Sequence, residues 1–167
     1  MTQGISIKHI INVKYSRGEL RPPECRDIIK RAVCETLRNE TVDTVCVVNV
    51  LITDDKGIQK YNRNYRNIDS ATDVLSFPMQ EFKHAGWNGC VLMEIDKDTG
   101  FLPLGDIVIS SESVSKQAAS YGNSVSEEMA YLTIHSTLHL LGYDHADETN
   151  EKLMHSKSKS IIQKTGF

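Results

Sequence analysis

The stretch YLTIHSTLHLLGYDH, residues 131–145, holds three of the chain's six histidines, His135, His139 and His145, with Gly142 between the last two. An α-helix advances 3.6 residues per turn, so His135 and His139, four apart, project from one face at adjacent heights and can share one ion. Leu138, Leu140 and Leu141 favour continuing the helix, whereas Gly142 can adopt the left-handed conformation that ends one. The chain can then turn back and bring His145 over the same face. Three neutral imidazoles with an open fourth position describe a catalytic zinc site, one Zn2+ per chain, in which the metal acidifies a bound water to a pKa of about 7.

A lone helical histidine is more often a surface residue or a satisfied core residue than a ligand. The third histidine and the glycine before it tip the balance toward metal. The spacing His-x3-His-x2-Gly-x2-His is that of the metzincin proteases, in which the residue after the first histidine is a glutamate general base. Here that residue is Ser136. A zinc site survives this change and the protease mechanism does not. Nickel or copper would also bind such a set of imidazoles.

The histidines need a helix beneath them. Ser124 or Ser126 opens it, with Glu127 and Glu128 in its favourable first turn. Leu132, Ile134, Leu138 and Leu141 would pack it against a sheet and aim the histidines at a groove. Upstream, residues 5–14 read as a strand containing a structural His9, and SRGELRPP as a loop. Pro23 begins a helix reaching about Arg38, with Ile28, Ile29, Ala32, Val33 and Leu37 at helical spacing. VCVVNVLI predicts a central strand. Asp54 or Asp55 then caps a short helix bearing Ile58, Tyr61 and Tyr65 on one side. Val74 to Phe77 predicts a strand that Pro78 stops or confines to an edge.

Residues 80–103 form the least regular part, an irregular loop or hairpin excursion with a short strand at Val91 to Ile95. LGDIVIS, 104–110, is another strand. Ser111 or Ser113 caps a helix running to Tyr121, with Gly122 as its stop. Asp147 to Lys164 is a polar helix with a narrow stripe of Leu153, Ser156 or Lys157, Ser160 and Ile161. This order predicts an α+β fold: a single domain over residues 1–167, a small mixed β-sheet packed with helices, and a central helix carrying the His-x3-His zinc motif in a zincin-like arrangement.

A hydrophobic share of 40% and a charged share of 25% suit a globular protein. No apolar run approaches the ~20 residues needed to span a bilayer, and the first residues lack the pattern of a secretory signal. Cys25, Cys34, Cys46 and Cys90 contain no C-x-x-C pair and suit a reducing compartment. A net charge of −3 argues against broad, salt-driven nucleic-acid binding.

Three segments in one order, YRNIDSATDVLSFP (65–78), LGDIVIS (104–110) and HSTLHLLGYDH (135–145), resemble the YbeY-type metal-dependent endoribonucleases, which take part in ribosomal RNA maturation and small-subunit quality control. The resemblance spans most of the chain from residue 54 onward. Ala71 stands where proline is common in that family, and Ser136 where glycine is common. The resemblance implies a zinc-dependent, single-strand-specific endoribonuclease acting in 3' end maturation of 16S ribosomal RNA and in ribosome quality control. It implies His135, His139 and His145 as zinc ligands, with Arg66 and a zinc-bound water as catalytic groups. The implied partners are single-stranded ribosomal RNA and the small ribosomal subunit or one of its proteins. A cytoplasmic monomer without a membrane is expected, or an organellar one in a eukaryote.

Physical chemistry supports these roles independently. Phosphodiester cleavage gathers negative charge on non-bridging oxygens. A metal can polarise one such oxygen, and the planar, permanently charged guanidinium of Arg66 can take oxygens bidentately. Without its surrounding motif, Arg66 would read as a surface salt bridge. Asp73, Asp106 and Asp144 are weaker candidates for orienting a histidine. Ser76 could meet a ribose and Phe77 a base, although Phe77 reads first as core. His84 and His155 stand outside any constellation. Two rival readings remain: a metallopeptidase-like hydrolase, and a non-catalytic ribosome-assembly factor whose zinc pins the C-terminal helices. A fourth protein ligand would indicate the latter.

Overall fold

Alternating burial in three apolar strands builds the sheet on which everything else rests. In this computed structural model, which describes residues 7–16 and 24–167, β1 (Ile10–Tyr15), β2 (Cys46–Thr53) and β6 (Leu102–Ser110) run parallel. The antiparallel β3 (Val74–Pro78) closes the other edge, giving the order β1-β2-β6-β3. The expected strand residues 5 and 6, most of the SRGELRPP loop and the helix-starting Pro23 lie outside the described residues. The expectation of an α+β domain with a small mixed sheet and a central histidine helix holds.

Because side chains alternate across a strand, β2, β6 and β3 serve two cores, and β1 serves the main one. Val48, Val50, Ile52, Ile107 and Ile109 enter the main core with α1 (Cys25–Asn39) and α4 (Val125–Leu140). Leu51, Leu75 and Val108 point to the opposite face, where Ile58 and Tyr61 of α2 (Asp55–Arg66) cover them. Asp54 caps α2 by accepting from the Gly57 N–H at 2.6 Å. The edge position of β3 is consistent with Pro78, which has no N–H to give a further strand.

The central helix α4 touches α1, α3 (Ser111–Tyr121), α5 (Glu148–Thr165), β3 and β6. It begins with a reciprocal capping box between Ser124 and Glu127. Gly105 explains how it seats against β6: a Cβ there would lie 2.7 Å from Leu140 Cδ2, and the residue's φ is +151°. Leu104 is the extra residue of a bulge at the same point, since Val47 pairs with Pro103 and Val48 with Gly105.

Two local expectations need correction. Ser110, rather than Ser111 or Ser113, caps α3, accepting from the Ser113 N–H at 3.2 Å. The buried stripe of α5 is Met154, Ser158, Ile161 and Thr165, while Leu153 and Ser160 face outward. Ser158 is fully buried although polar, which hydrophobicity alone does not reveal.

Residues 80–103 contain a two-stranded hairpin of β4 (Glu81–Phe82) and β5 (Cys90–Leu92), with a 3-10 turn at Trp87–Gly89. Its connecting turn is anchored: Trp87 is buried and donates to Asp43 Oδ1 at 2.8 Å, and the Gly86 N–H donates to the Leu141 carbonyl at 3.0 Å. After that turn, Val91, Leu92, Met93 and Ile95 are exposed. No helix among the described residues is long and apolar enough to cross a membrane.

Candidate metal centre

The end of α4 creates the centre. After Leu141 the chain enters Gly142 at φ +83°, the Gly142 N–H donates to the His139 carbonyl at 3.1 Å, and the Tyr143 N–H donates to the Leu138 carbonyl at 3.1 Å. Those two bonds are the pattern of a Schellman stop. The reversal carries His145 back over His135 and His139, and one nitrogen from each ring lies within 4.8 Å of the others. Ring centroids are 4.8 Å apart for His135 and His139, 5.0 Å for His139 and His145, and 5.9 Å for His135 and His145.

The chemistry of these nitrogens fits a shared cation. His139 Nδ1 lies 2.8 Å from the Tyr143 carbonyl oxygen, which can only accept, so Nδ1 carries the hydrogen and Nε2 the lone pair. That Nε2 faces His135 Nε2 at 3.2 Å. Two nitrogens bound tetrahedrally at ~2.0–2.1 Å from one zinc ion would lie about 3.3 Å apart. Burial, reinforced by the charges of His139 and His145 and opposed by Asp73, pushes the His135 pKa down to about 4. Burial also lowers His139, the Tyr143 carbonyl acting against it and the charges of His145 and Arg66 with it. Both rings are therefore neutral, as metal ligands must be, near pH 7.

The cluster opens into a cleft of about 780 Å³ whose lining also includes Arg66, Asp73 and Ser76. Arg66, at the end of α2, donates from Nη2 to the Ser76 carbonyl at 3.2 Å. Among the described residues this one bond aims the guanidinium, and its other donors are available to a ligand. Asp73 accepts from Gln117 Nε2 at 2.9 Å and from the Val74 N–H at 2.8 Å, which ties α3 to β3 at the rim.

Other residues singled out in the sequence go elsewhere. Asp106 accepts from Asn49 Nδ2 at 2.8 Å in a ladder with Asn12 and does not line the cleft. Asp144 accepts from the Ala146 N–H and from Asn150, fixing the turn before α5. Phe77 packs edge-on against Tyr65 in the smaller core. Ser136 is fully buried, its hydroxyl finds no partner among the described residues, and it is absent from the cleft wall. His84 stays apart. His155 does not: its Nδ1 is 3.1 Å from the Tyr131 hydroxyl, and Tyr131 stacks on His135. Sequence reasoning missed Tyr131 and Gln117. The only trace of Tyr131 was its position four residues before His135.

A family model described as Endoribonuclease YbeY matches residues 10–166. An Endoribonuclease YbeY of Caldicellulosiruptor bescii is 44% identical over 140 residues, which is 84% of this chain and 86% of that protein. One from Caldanaerobacter subterraneus subsp. tengcongensis is 45% identical over 140 residues, covering 84% and 87%. One from Clostridium botulinum is 39% identical over 145 residues, again covering 84% and 87%. The solution structure of TM1509 from Thermotoga maritima superposes with a TM-score of 0.59 at 26% identity, covering 93% of this chain and 89% of that one.

Proposed function

We propose, because the chain belongs to the Endoribonuclease YbeY family, that its cleft is the active site of a zinc-dependent cut in single-stranded ribosomal RNA. The protein is an endoribonuclease, a hydrolase of RNA. The observation that carries the rest of the reading is the convergence of three imidazoles on a cleft that Arg66 also lines. His135, His139 and His145 would hold the ion, which supplies Lewis acidity and lowers the pKa of a water to about 7. His139 is held as the Nδ1–H tautomer by the Tyr143 carbonyl, so its lone pair faces the cluster. Arg66 neutralises the charge that gathers on the phosphate oxygens, from a position fixed by Ser76.

The substrate RNA, the 3' end of 16S ribosomal RNA, and a small-subunit protein as partner rest on the resemblance. A cytoplasmic monomer is the matching cellular form. Ser136 supports the nuclease reading over a peptidase, because the position a protease fills with its general base faces the core here. The test is cleavage of a labelled single-stranded RNA by purified protein, with and without chelator, beside a casein control and the His139→Ala variant. RNA cutting that chelator abolishes and zinc restores, no casein hydrolysis, and no zinc in the variant by elemental analysis are expected. Cutting that continues in chelator, or stoichiometric zinc retained in His139→Ala, would overturn the metal reading.

A further inference from the structure

The buried side of the metal turn carries a polar network that the proposed reaction does not use. Tyr143 is 6% exposed and Glu40, at the C-terminal cap of α1, is 8% exposed. The Tyr143 hydroxyl donates to Glu40 Oε2 at 2.6 Å, and Lys157 Nζ of α5 donates to Oε1 at 2.7 Å. Asn39 Nδ2 donates to the same Oε1 at 3.2 Å, and Lys157 Nζ sits 5.1 Å from the centre of the Tyr143 ring. A carboxylate taken out of water is costly unless it is fully partnered, and this one has three donors. Gly86 closes the back of the network, because a Cβ there would lie 3.2 Å from the Tyr143 hydroxyl and 3.4 Å from Glu40.

Tyr143 is consequently fixed at three points. Its ring tip is held by Glu40, its N–H by the Leu138 carbonyl, and its own carbonyl accepts from His139 Nδ1. A backbone carbonyl that orients a ligating imidazole works only if its direction is fixed. Here the ring tip is held by a residue over a hundred positions away in sequence. We propose that Glu40 and Tyr143 are positioning residues for the metal site: the carboxylate holds the tyrosine, and the tyrosine carbonyl holds His139 in the tautomer and rotation that present Nε2 to the ion. This rests on the reading of the three histidines as metal ligands. It assigns Lys157 the part of holding the Glu40 carboxylate in place.

Partners that orient a ligating histidine typically change metal affinity by ~10–100-fold when lost. The hydroxyl acts through one residue more, so the low end of that range is expected. Zinc affinity of the full chain would be measured by competition with a chromogenic chelator for wild type, Tyr143→Phe, Glu40→Gln and the double variant, with apo-protein thermal unfolding alongside. Asp55→Asn, remote from the site, serves as the control for destabilisation alone. Expected are a ~10-fold weaker zinc affinity in each single variant, no further loss in the double variant, and unchanged affinity in Asp55→Asn. A lowered melting temperature with wild-type zinc affinity in Tyr143→Phe and Glu40→Gln would reduce the network to packing and overturn the proposal. So would losses that add in the double variant, since Glu40 would then not act through Tyr143. Wild type that binds no zinc would instead sink the metal reading itself, and this proposal with it.

Discussion

Arg66 illustrates how a residue with an ordinary surface location is given a direction. It is exposed, its guanidinium donates to a strand carbonyl, and it lines the same cleft as the histidines. Arg66→Ala should leave fold and zinc content intact and reduce cleavage of a single-stranded RNA by roughly 10²–10³-fold, the usual effect of removing a donor to transition-state charge. Single-turnover cleavage with zinc measured in the same samples checks this, and undiminished turnover would remove Arg66 from the mechanism. Arg66→Lys should recover little, because an ammonium is a point charge and cannot fork across two oxygens. The histidine spacing was legible in the sequence because one helical turn and one glycine govern it. The partners of His139 were not, since a backbone carbonyl carries no residue signature and Glu40 is distant in the chain.

At the scale of elements, α2, β6 and α3 meet on one carboxylate. Asp55 Oδ1 accepts from Ser110 Oγ at 2.5 Å and Ser113 Oγ at 2.7 Å, and Oδ2 from Lys116 Nζ at 2.6 Å. Burial raises its pKa, but the bonds from Lys116, Ser110 and Ser113 outweigh this and hold it near about 2, below the ordinary 3.8. A depressed carboxylate pKa contributes stability that is complete above the unfolded value and is lost as pH falls through the folded one. The shift corresponds to at most roughly 2 kcal/mol, less what solvent screening removes around the exposed Lys116. Asp55→Asn should therefore destabilise by ~1–2 kcal/mol at pH 7 in urea unfolding, and its difference from wild type should shrink between pH 4 and pH 2. A difference independent of pH would show that the carboxylate's charge is not involved. Element order and strand limits were readable because β-branched runs and caps are local signals. The α5 stripe was misread because a small polar residue, Ser158, holds a buried position where a larger apolar one was sought.

For the whole molecule, an ion bound only by the folded chain adds to its stability by mass action. Zinc at about 100 times its dissociation constant would contribute about 2.7 kcal/mol, a rise of roughly 5–10 °C in melting temperature for a domain of this size. Thermal unfolding with excess zinc against chelator should show this rise in wild type and not in His139→Ala. An equal rise in both would place the metal elsewhere. Segregation of the parts is also a whole-molecule property. The three histidines lie in one short stretch, 135–145, so little chain entropy separates them. Arg66 comes from the far side of the sheet's assembly, carried there by α2 and set by β3. A fault confined to the seat of α2 would thus blunt the cut and spare the ion, whereas one in the turn after α4 would remove both together.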